Sequence, residues 1–427
     1  MTERAVYLVD GARTPFLRAR GKPNAFHAAD LLLGAAKPLL LRQPFSPQAF
    51  DEVIVGCVMP SPDESNIARI MALRLGCGER MPAFTVQRNC ASGMQALDSA
   101  SRNIAHGYAD LVLTAGVEAM SHAPLLFRPE MVAWLADWRR AKTLGQKLKM
   151  LSRLRAGYFA PVIALLKGLS DPVVGLSMGQ TAENLAWRFG ISRDEMDRYA
   201  LQSHQRLAAA VEKGYLDEIV ALYASSGKLY DQDDGLRADS SLEKLAKLKP
   251  VFDRPYGLVT AGNSAQVTDG AAVLILASED AVEKYDLPIL ARLHPATWAG
   301  VDPAQMGLGP THAIAQLLEQ RDMALADIDY FEINEAFAAQ VLACVKTLCD
   351  DEYCRNELGL DAALGEIPLE RLNLDGGGIS LGHPVGASGA RIVLHLAHVL
   401  ARENAQKGIA SLCIGGGQGG AMLVERT

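Results

Sequence analysis

The triplet Ala91-Ser92-Gly93, inside RNCASGMQAL (88–97), returns as Ala387-Ser388-Gly389 inside GHPVGASGAR (382–391). Each copy opens a stretch with apolar residues at helical spacing: Met94, Leu97 and Ile104 in one, Ile392, Leu396, Val399 and Leu400 in the other. Each stretch runs into a strand-like segment, DLVLTAG (110–116) and SLCIGGG (411–417). Upstream, DEVIVG precedes the first copy and DYFEIN the second. The order strand, turn, Ala-Ser-Gly, helix, strand therefore occurs twice, which is duplication of a whole α/β unit rather than a short solenoid period. Both helices carry few charges, Asp98 and Arg102 in one and Arg391 in the other as far as Leu400. Helices apolar on nearly every side are buried. Small residues at their starts allow backbones to approach closely. Two such helices, one from each half, bring their N-termini to the middle of the molecule.

The chain's 427 residues exceed one ordinary core. Further strand-like runs, AVYLVDG (5–11) and AAVLILA (271–277), alternate with helical patterns, as in an α/β fold. A net charge of −7 argues against a general nucleic-acid binder. The longest apolar runs, such as FAPVIALL (159–166), are too short to span a bilayer. MTERAVYLVDGARTPF lacks a signal-peptide core, and the seven cysteines are scattered without a CxxC, so a cytoplasmic protein with reduced thiols is expected. Cys344, Cys349 and Cys354 step by about 140° around a helix, so they share no face and read as packing or surface thiols, with no metal site.

Four residues stand out as chemical candidates. Cys90 follows the strand-like FTV (84–86) and is expected at a helix N-terminus, where the positive end of the macrodipole favours thiolate. Its bland alternative is a small buried hydrophobe. His383 sits in GGGISLGHPVGASG, where Gly376, Gly377, Gly378, Gly382 and Gly386 let backbone come close to a ligand and Pro384 stiffens the loop; this suits a base. Cys413 ends the strand SLC before IGGGQGGA, a glycine run without the Lys-Ser/Thr of a phosphate loop, whose N–H groups could form an oxyanion site. Asn334 and Glu335 end the strand DIDYFEI, at the edge where α/β sites are built; Glu335 also reads as a helix-capping or surface acid.

Taken together, NCASGMQAL around Cys90, NEAFA at 334–338, GHPVGASGAR around His383 and CIGGGQGGAM around Cys413 resemble the thiolases, along essentially the whole chain. GARTPF (11–16), MGQTAEN (178–184), VTAGNSAQVTDGAA (259–272) and MGLGP (306–310) support the resemblance. It implies a thiolase fold: two doubly wound βαβαβαββ halves packed as five α/β layers, plus an inserted loop domain. The expected division is 1–121 with 268–288 as the N-terminal half, 122–267 as a lobe or lid on the substrate side, and 289–427 as the C-terminal half. The resemblance also implies roles. Cys90 would take the acyl group, His383 would activate it, and Cys413 would protonate the enolate and deprotonate incoming coenzyme A. Asn334 would position a water for the enolate oxygen, and the N–H groups of Cys90 and Gly415 would hold the thioester oxyanion. Ser264, Met178 and Met306 would contact coenzyme A, a co-substrate and not a permanently bound cofactor. Acyl-CoA, a homodimer or homotetramer and a hydratase/dehydrogenase α-subunit are the implied partners.

Three positions depart from the family pattern. Asn334 stands where the trifunctional β-subunit branch, which the insertion resembles, usually has histidine. Ala265 stands where a serine often meets the pantetheine, and Ser177 where short-chain members often carry histidine. The segment WRRAKTLGQKLKMLSRLRAG (138–157) holds seven Lys/Arg and no acid. It reads as a solvated helical face with a packed leucine stripe, as a contact for coenzyme A phosphates, or as a basic amphipathic helix for a membrane surface or partner. A ketoacyl synthase of the same fold is a rival, but such enzymes typically lack a cysteine at the position of Cys413. An inactive CoA- or lipid-binding relative is the rival outside enzymes.

Overall fold

The computed structural model describes residues 4–427. Its main sheet has eleven strands. Ten define the two halves: β1 (Tyr7–Arg13), β2 (Glu52–Gly56), β3 (Ala83–Val86), β4 (Leu111–Ala119), β5 (Thr268–Ala277), β6 (Ala291–Leu293), β7 (Thr297–Gly300), β8 (Tyr330–Ile333), β9 (Lys407–Ile414) and β10 (Gln418–Glu425). The N-terminal order is β1-β5-β4-β2-β3, antiparallel at the first two junctions and parallel at the next two. The C-terminal order repeats it. β6 and β7 lie antiparallel to β10, β10 antiparallel to β9, and β9 parallel to β8. The fifth place shrinks to one parallel bridge, Phe331 to Leu372. The duplication read from the Ala-Ser-Gly echo is thus a duplication of sheet topology. Two residue pairs, Tyr7 with Arg292 and Leu8 with Ala291, join the half-sheets into one hydrogen-bonded system.

β4 and β5 are buried at every residue, because helices cover both of their faces. That is why LVLTAGVEA and TDGAAVLILA read as continuous small and apolar runs instead of alternating. Outside the N-terminal sheet lies the helix Ala28–Leu41, which buries Leu31, Leu32, Ala35 and Leu39. Outside the C-terminal sheet lie Gly309–Gln320 and Ala338–Leu348. Between the sheets run Ser92–Ala105 and Val385–Arg402, which share a core with Ile54, Leu274, Leu412 and Met422 from both sheets. The layers are helix, sheet, helix, sheet, helix.

The two central helices cross at their glycines. A Cβ on Gly93 would lie 2.7 Å from the Ala390 backbone N, and one on Gly389 would lie 2.5 Å from the Met94 backbone N. One on Gly386 would lie 2.2 Å from the Val117 carbonyl oxygen. Only glycine admits this spacing, since the obstruction is backbone and cannot rotate away. Arg391 on the second helix is buried against Glu332 of β8, 2.9 Å apart, so its charge is paired inside the core.

The segment 122–267, read from sequence as one lobe or lid, divides in two. Met178–Arg188 and Arg193–Lys213 are built into the C-terminal layers, burying Leu185, Met196 and Leu207. Ser177 and Ser192 cap them, each accepting from a backbone N–H three residues on. Pro129–Arg140 and Leu144–Leu151 instead form an outlying hairpin, tied by Trp134 Nε1 donating to the Met150 carbonyl. Its leucine stripe is not packed: Leu144 is 75% exposed and Leu148 58%.

Gly389→Val is expected to cost about 3 kcal/mol or more, because the added methyls meet backbone. Thermal unfolding would check this, and an unchanged melting temperature would show that the helices separate at little cost.

Candidate active site

Asn89 carries the turn that presents Cys90. Its φ of 43° is left-handed, which asparagine tolerates better than most residues. Its side-chain N–H donates to the Gly415 carbonyl at 2.7 Å, fastening this turn to the glycine run after β9. Ser92 closes the turn, accepting from Arg88 N–H at 2.9 Å and donating to the Asn89 carbonyl at 2.8 Å. The helix begins at Ser92, so Cys90 lies two residues before it rather than in its first turn.

The backbone N–H groups of Gly415 and of Cys90 itself both face the Cys90 thiol. They lower its pKa, yet burial outweighs them and the thiol sits above its ordinary value. The helix-end expectation of a ready thiolate is therefore reversed. Burial thus biases Cys90 toward the protonated thiol. Cys413, the penultimate residue of β9, is pushed up further by burial and by the neighbouring Cys90.

His383 lies two residues before the Val385–Arg402 helix, held by its backbone N–H donating to the Gln266 carbonyl at 3.0 Å. Its Nδ1 is 2.6 Å from Ser388 Oγ. That hydroxyl gives its proton to the Pro384 carbonyl at 3.1 Å, so it accepts from Nδ1–H and leaves the Nε2 lone pair free. Burial, with Arg391 adding to it, lowers the His383 pKa to about 4, so the ring is neutral at pH 7. Asn334 Nδ2 approaches Nε2 at 3.5 Å, while Asn334 Oδ1 is buried without a partner among the described residues. Asn373 sets that edge by pairing side chain to backbone with Ile333 in both directions, at 2.9 Å each.

Cys90, His383 and Cys413 line one cavity of about 420 Å³, together with Ser264, Met178 and Met306. Asn334 joins them through His383, and Gly415 through Cys90. Ser264 Oγ already donates to the Thr260 carbonyl at 2.7 Å, so toward a ligand it can only accept. Glu335 lies beside the site as a structural acid. It accepts from Tyr199, Ser203, Asn373 and the Ile379 N–H, and does not reach the cavity.

Three residues escaped the sequence reading. Asn89 was hidden because its role rests on a contact 326 positions away. Ser388 was visible only as part of an echo. Glu118 offered a signal, a lone acid in the otherwise small and apolar LVLTAGVEA. It accepts from the Val58 and Met59 N–H groups at 2.9 and 3.0 Å, and burial raises its pKa to about 7. Among the described residues no cluster of side chains could hold a metal ion.

Residues 6–280 match the family model "Thiolase, N-terminal domain" and residues 287–426 match "Thiolase, C-terminal domain". The chain is 40% identical over 424 residues to the mitochondrial trifunctional enzyme subunit beta of Bos taurus, covering 99% of this chain and 88% of the relative. It is 36% identical over 423 residues to the 3-ketoacyl-CoA thiolase of Yersinia pestis, covering 98% and 96%. Among solved structures it is similar to human mitochondrial 3-ketoacyl-CoA thiolase in complex with CoA, with a TM-score of 0.85, 38% identity, and coverage of 99% and 98%. The acetyl-CoA acetyltransferase of Syntrophomonas wolfei matches with a TM-score of 0.87 and 36% identity over the whole of both chains. With both family models matched in order and the fold matched throughout, the chain belongs to the thiolase family, enzymes that transfer acyl groups with coenzyme A as a substrate.

Proposed function

We propose that this enzyme cleaves 3-ketoacyl-CoA, or runs the reverse condensation, through an acyl thioester on Cys90. The observation that carries the reading is the convergence, on one cavity, of two protonated thiols and a neutral imidazole. The Cys90 sulfur attacks the C3 carbonyl while His383 Nε2 takes the thiol proton. The C3 oxygen then carries the charge, and the Cys90 and Gly415 N–H groups, which face the Cys90 sulfur, are the nearby donors that take it up. Collapse re-forms the carbonyl and breaks the C2–C3 bond, and its electron pair passes to C2 as the enolate of acetyl-CoA. Cys413 gives C2 its proton. The resulting Cys413 thiolate takes the proton of incoming coenzyme A, whose sulfur displaces Cys90 from the acyl group. Cys90 leaves as thiolate and recovers its proton from His383. Covalent capture divides one difficult carbon–carbon cleavage into two easier steps. Asn334 fits the task of orienting a water at the enolate oxygen, because its buried amide oxygen has no other partner. Met178, Met306 and Ser264 form the wall along which the pantetheine lies. At the mouth, Arg18 and Arg237 line a neighbouring hollow with Phe252 and Ser264 and repel one another, a cation pair suited to phosphate.

In this reading the part of 122–267 before Met178 is the substrate-side division, and the helices Met178–Arg188 and Arg193–Lys213 join the half 289–427, the other half being 1–121 with 268–288. All seven cysteines are free, which supports a reducing compartment such as the cytoplasm. A homodimer or homotetramer is carried from the family resemblance, and the relatives named as a subunit beta support a partner subunit such as the hydratase/dehydrogenase α-subunit. The outlying hairpin has its own reading as a membrane contact. Leu144, Leu148 and Leu151 are exposed beside Lys147, Lys149 and Arg153, and no packed neighbour explains them.

Cys90→Ala is expected to abolish thiolysis and labelling by radioactive acyl-CoA, while Cys413→Ala still acylates from a thioester but fails to turn over. Undiminished turnover in either variant removes that residue's role. The His383 ring, observed by carbon NMR with a labelled imidazole, is expected to stay neutral and Nδ1-protonated at pH 5.5. An imidazolium signal there would exclude it as the resting base. Since its folded pKa lies below the unfolded value of about 6.5, the unfolded chain binds more protons between about 6.5 and 4. This residue's contribution to stability therefore declines as pH falls through that window. The hairpin is expected to sediment the protein with anionic vesicles at low salt and to release it at high salt; retention in the supernatant at low salt would end that reading.

A further inference from the structure

One buried acid takes no part in the acyl transfer. Glu118 lies near the end of β4, wholly buried. A carboxyl group is costly to bury unless its oxygens find partners. Glu118 finds them on two segments. Oε2 accepts the Val58 N–H at 2.9 Å and Oε1 accepts the Met59 N–H at 3.0 Å, just past the end of β2. On the other side the Gly386 N–H, in the first turn of the Val385–Arg402 helix, faces the carboxyl group. A Cβ on Gly386 would lie 2.8 Å from Oε2, so glycine lets the acid reach the helix start. A negative charge there is also favoured by the helix dipole.

Both segments belong to the wall of the reaction site. Val58, Met59 and Val385 line a cavity with Cys90. Glu118 stands behind that wall, and its charge adds to burial in raising the Cys90 thiol. Burial, opposed by the three N–H groups, brings Glu118 itself to a pKa of about 7, so both of its forms occur near neutral pH. Protonation turns one oxygen into a donor among N–H groups and loses a bond. The surrounding groups leave this titration to Glu118. The Cys57 Sγ lies 3.9 Å from Oε1 and is raised well above the ordinary thiol value by burial. Asp269 of β5 accepts from Ser121 and Asn24, and Glu64 from the Ala29 N–H. On the central helices Arg391 is paired with Glu332 and Asp98 with Arg102. His383 is lowered to about 4.

We propose that Glu118 is a positioning residue for acyl transfer: as carboxylate it ties the 58–59 wall to the start of the helix that follows His383, and its charge holds negative charge off Cys90 until His383 accepts the thiol proton. The role in turnover rests on the acyl-Cys90 reading. The effect of the charge on the thiol does not.

Alkylation by iodoacetamide, followed on the Cys90 peptide by mass spectrometry across the neutral pH range, reads the charge without catalysis. In the native protein the logarithm of the rate is expected to rise with pH and to bend to a shallower slope near pH 7, where Glu118 ionises. An unbroken slope overturns the charge effect, and this measurement needs no variant to fold. Glu118→Gln is expected to remove the bend and to speed alkylation above it, about tenfold for each pKa unit by which the thiol falls. Glu118→Asp keeps the charge but shortens the reach, so it is expected to alkylate as slowly as the native protein. Steady-state thiolysis reads the positioning. Both variants are expected to lower kcat about tenfold or more while KM for coenzyme A changes less than about twofold, since the wall of Met178, Met306 and Ser264 is untouched. Unchanged kcat in both, or a rise in KM alone, overturns the positioning role. If the native protein alkylates with the bend but forms no acyl-Cys90, the failure belongs to the functional reading; an active enzyme without the bend fails only here.

Discussion

Two helices touching backbone to backbone hold the rest of this molecule in place. Gly93 and Gly389 bring Ser92–Ala105 and Val385–Arg402 to a separation at which no side chain fits between them. Everything reactive is hung from the ends of those helices. Cys90 precedes the first, His383 precedes the second, and the β9 end with Cys413 and Gly415 is fastened to the Cys90 turn by Asn89. If the helices stood farther apart, Cys90 and His383 would no longer share a cavity.

The same close contact sets the electrostatics. A site this deep in the layers is poorly solvated, and desolvation is the largest influence on Cys90, Cys413 and His383 alike. Burial disfavours charge, so it raises the thiols and lowers the imidazole. The outcome is a site whose two thiols and imidazole all lean toward their neutral forms. The duplicated serines show how one inherited feature was put to two uses. Ser92 ties the turn that displays Cys90, and Ser388 selects which imidazole nitrogen keeps its lone pair.

Much of this was legible in the residues. Continuous apolar strands, low-charge helices and small residues at helix starts follow from simple periodicity, and the repeated triplet disclosed two halves. The roles suggested for Cys90, His383 and Cys413 came from the four sequence blocks that resemble the family, with spacing contributing little. Local reasoning failed where the outcome depended on competing long-range terms. A helix end favours thiolate, but burial from residues far along the chain outweighs it at Cys90. The leucine stripe at 144–151 has the period of a packed face, yet nothing in the fold comes to cover it.

The sequence alone determined the α/β class and the duplication, because these depend on residue type and on periods of a few positions; its four family-like blocks named the candidate reactive groups. Tertiary structure decided which groups meet, which are charged and where a ligand has room. Asn89 reaches Gly415 across 326 positions, Glu118 accepts the Val58 and Met59 N–H groups from β4, and residues of both halves line one cavity around the Cys90 sulfur. Such facts depend on distances between segments remote in the chain, and those distances exist only once the two halves have closed on their glycines.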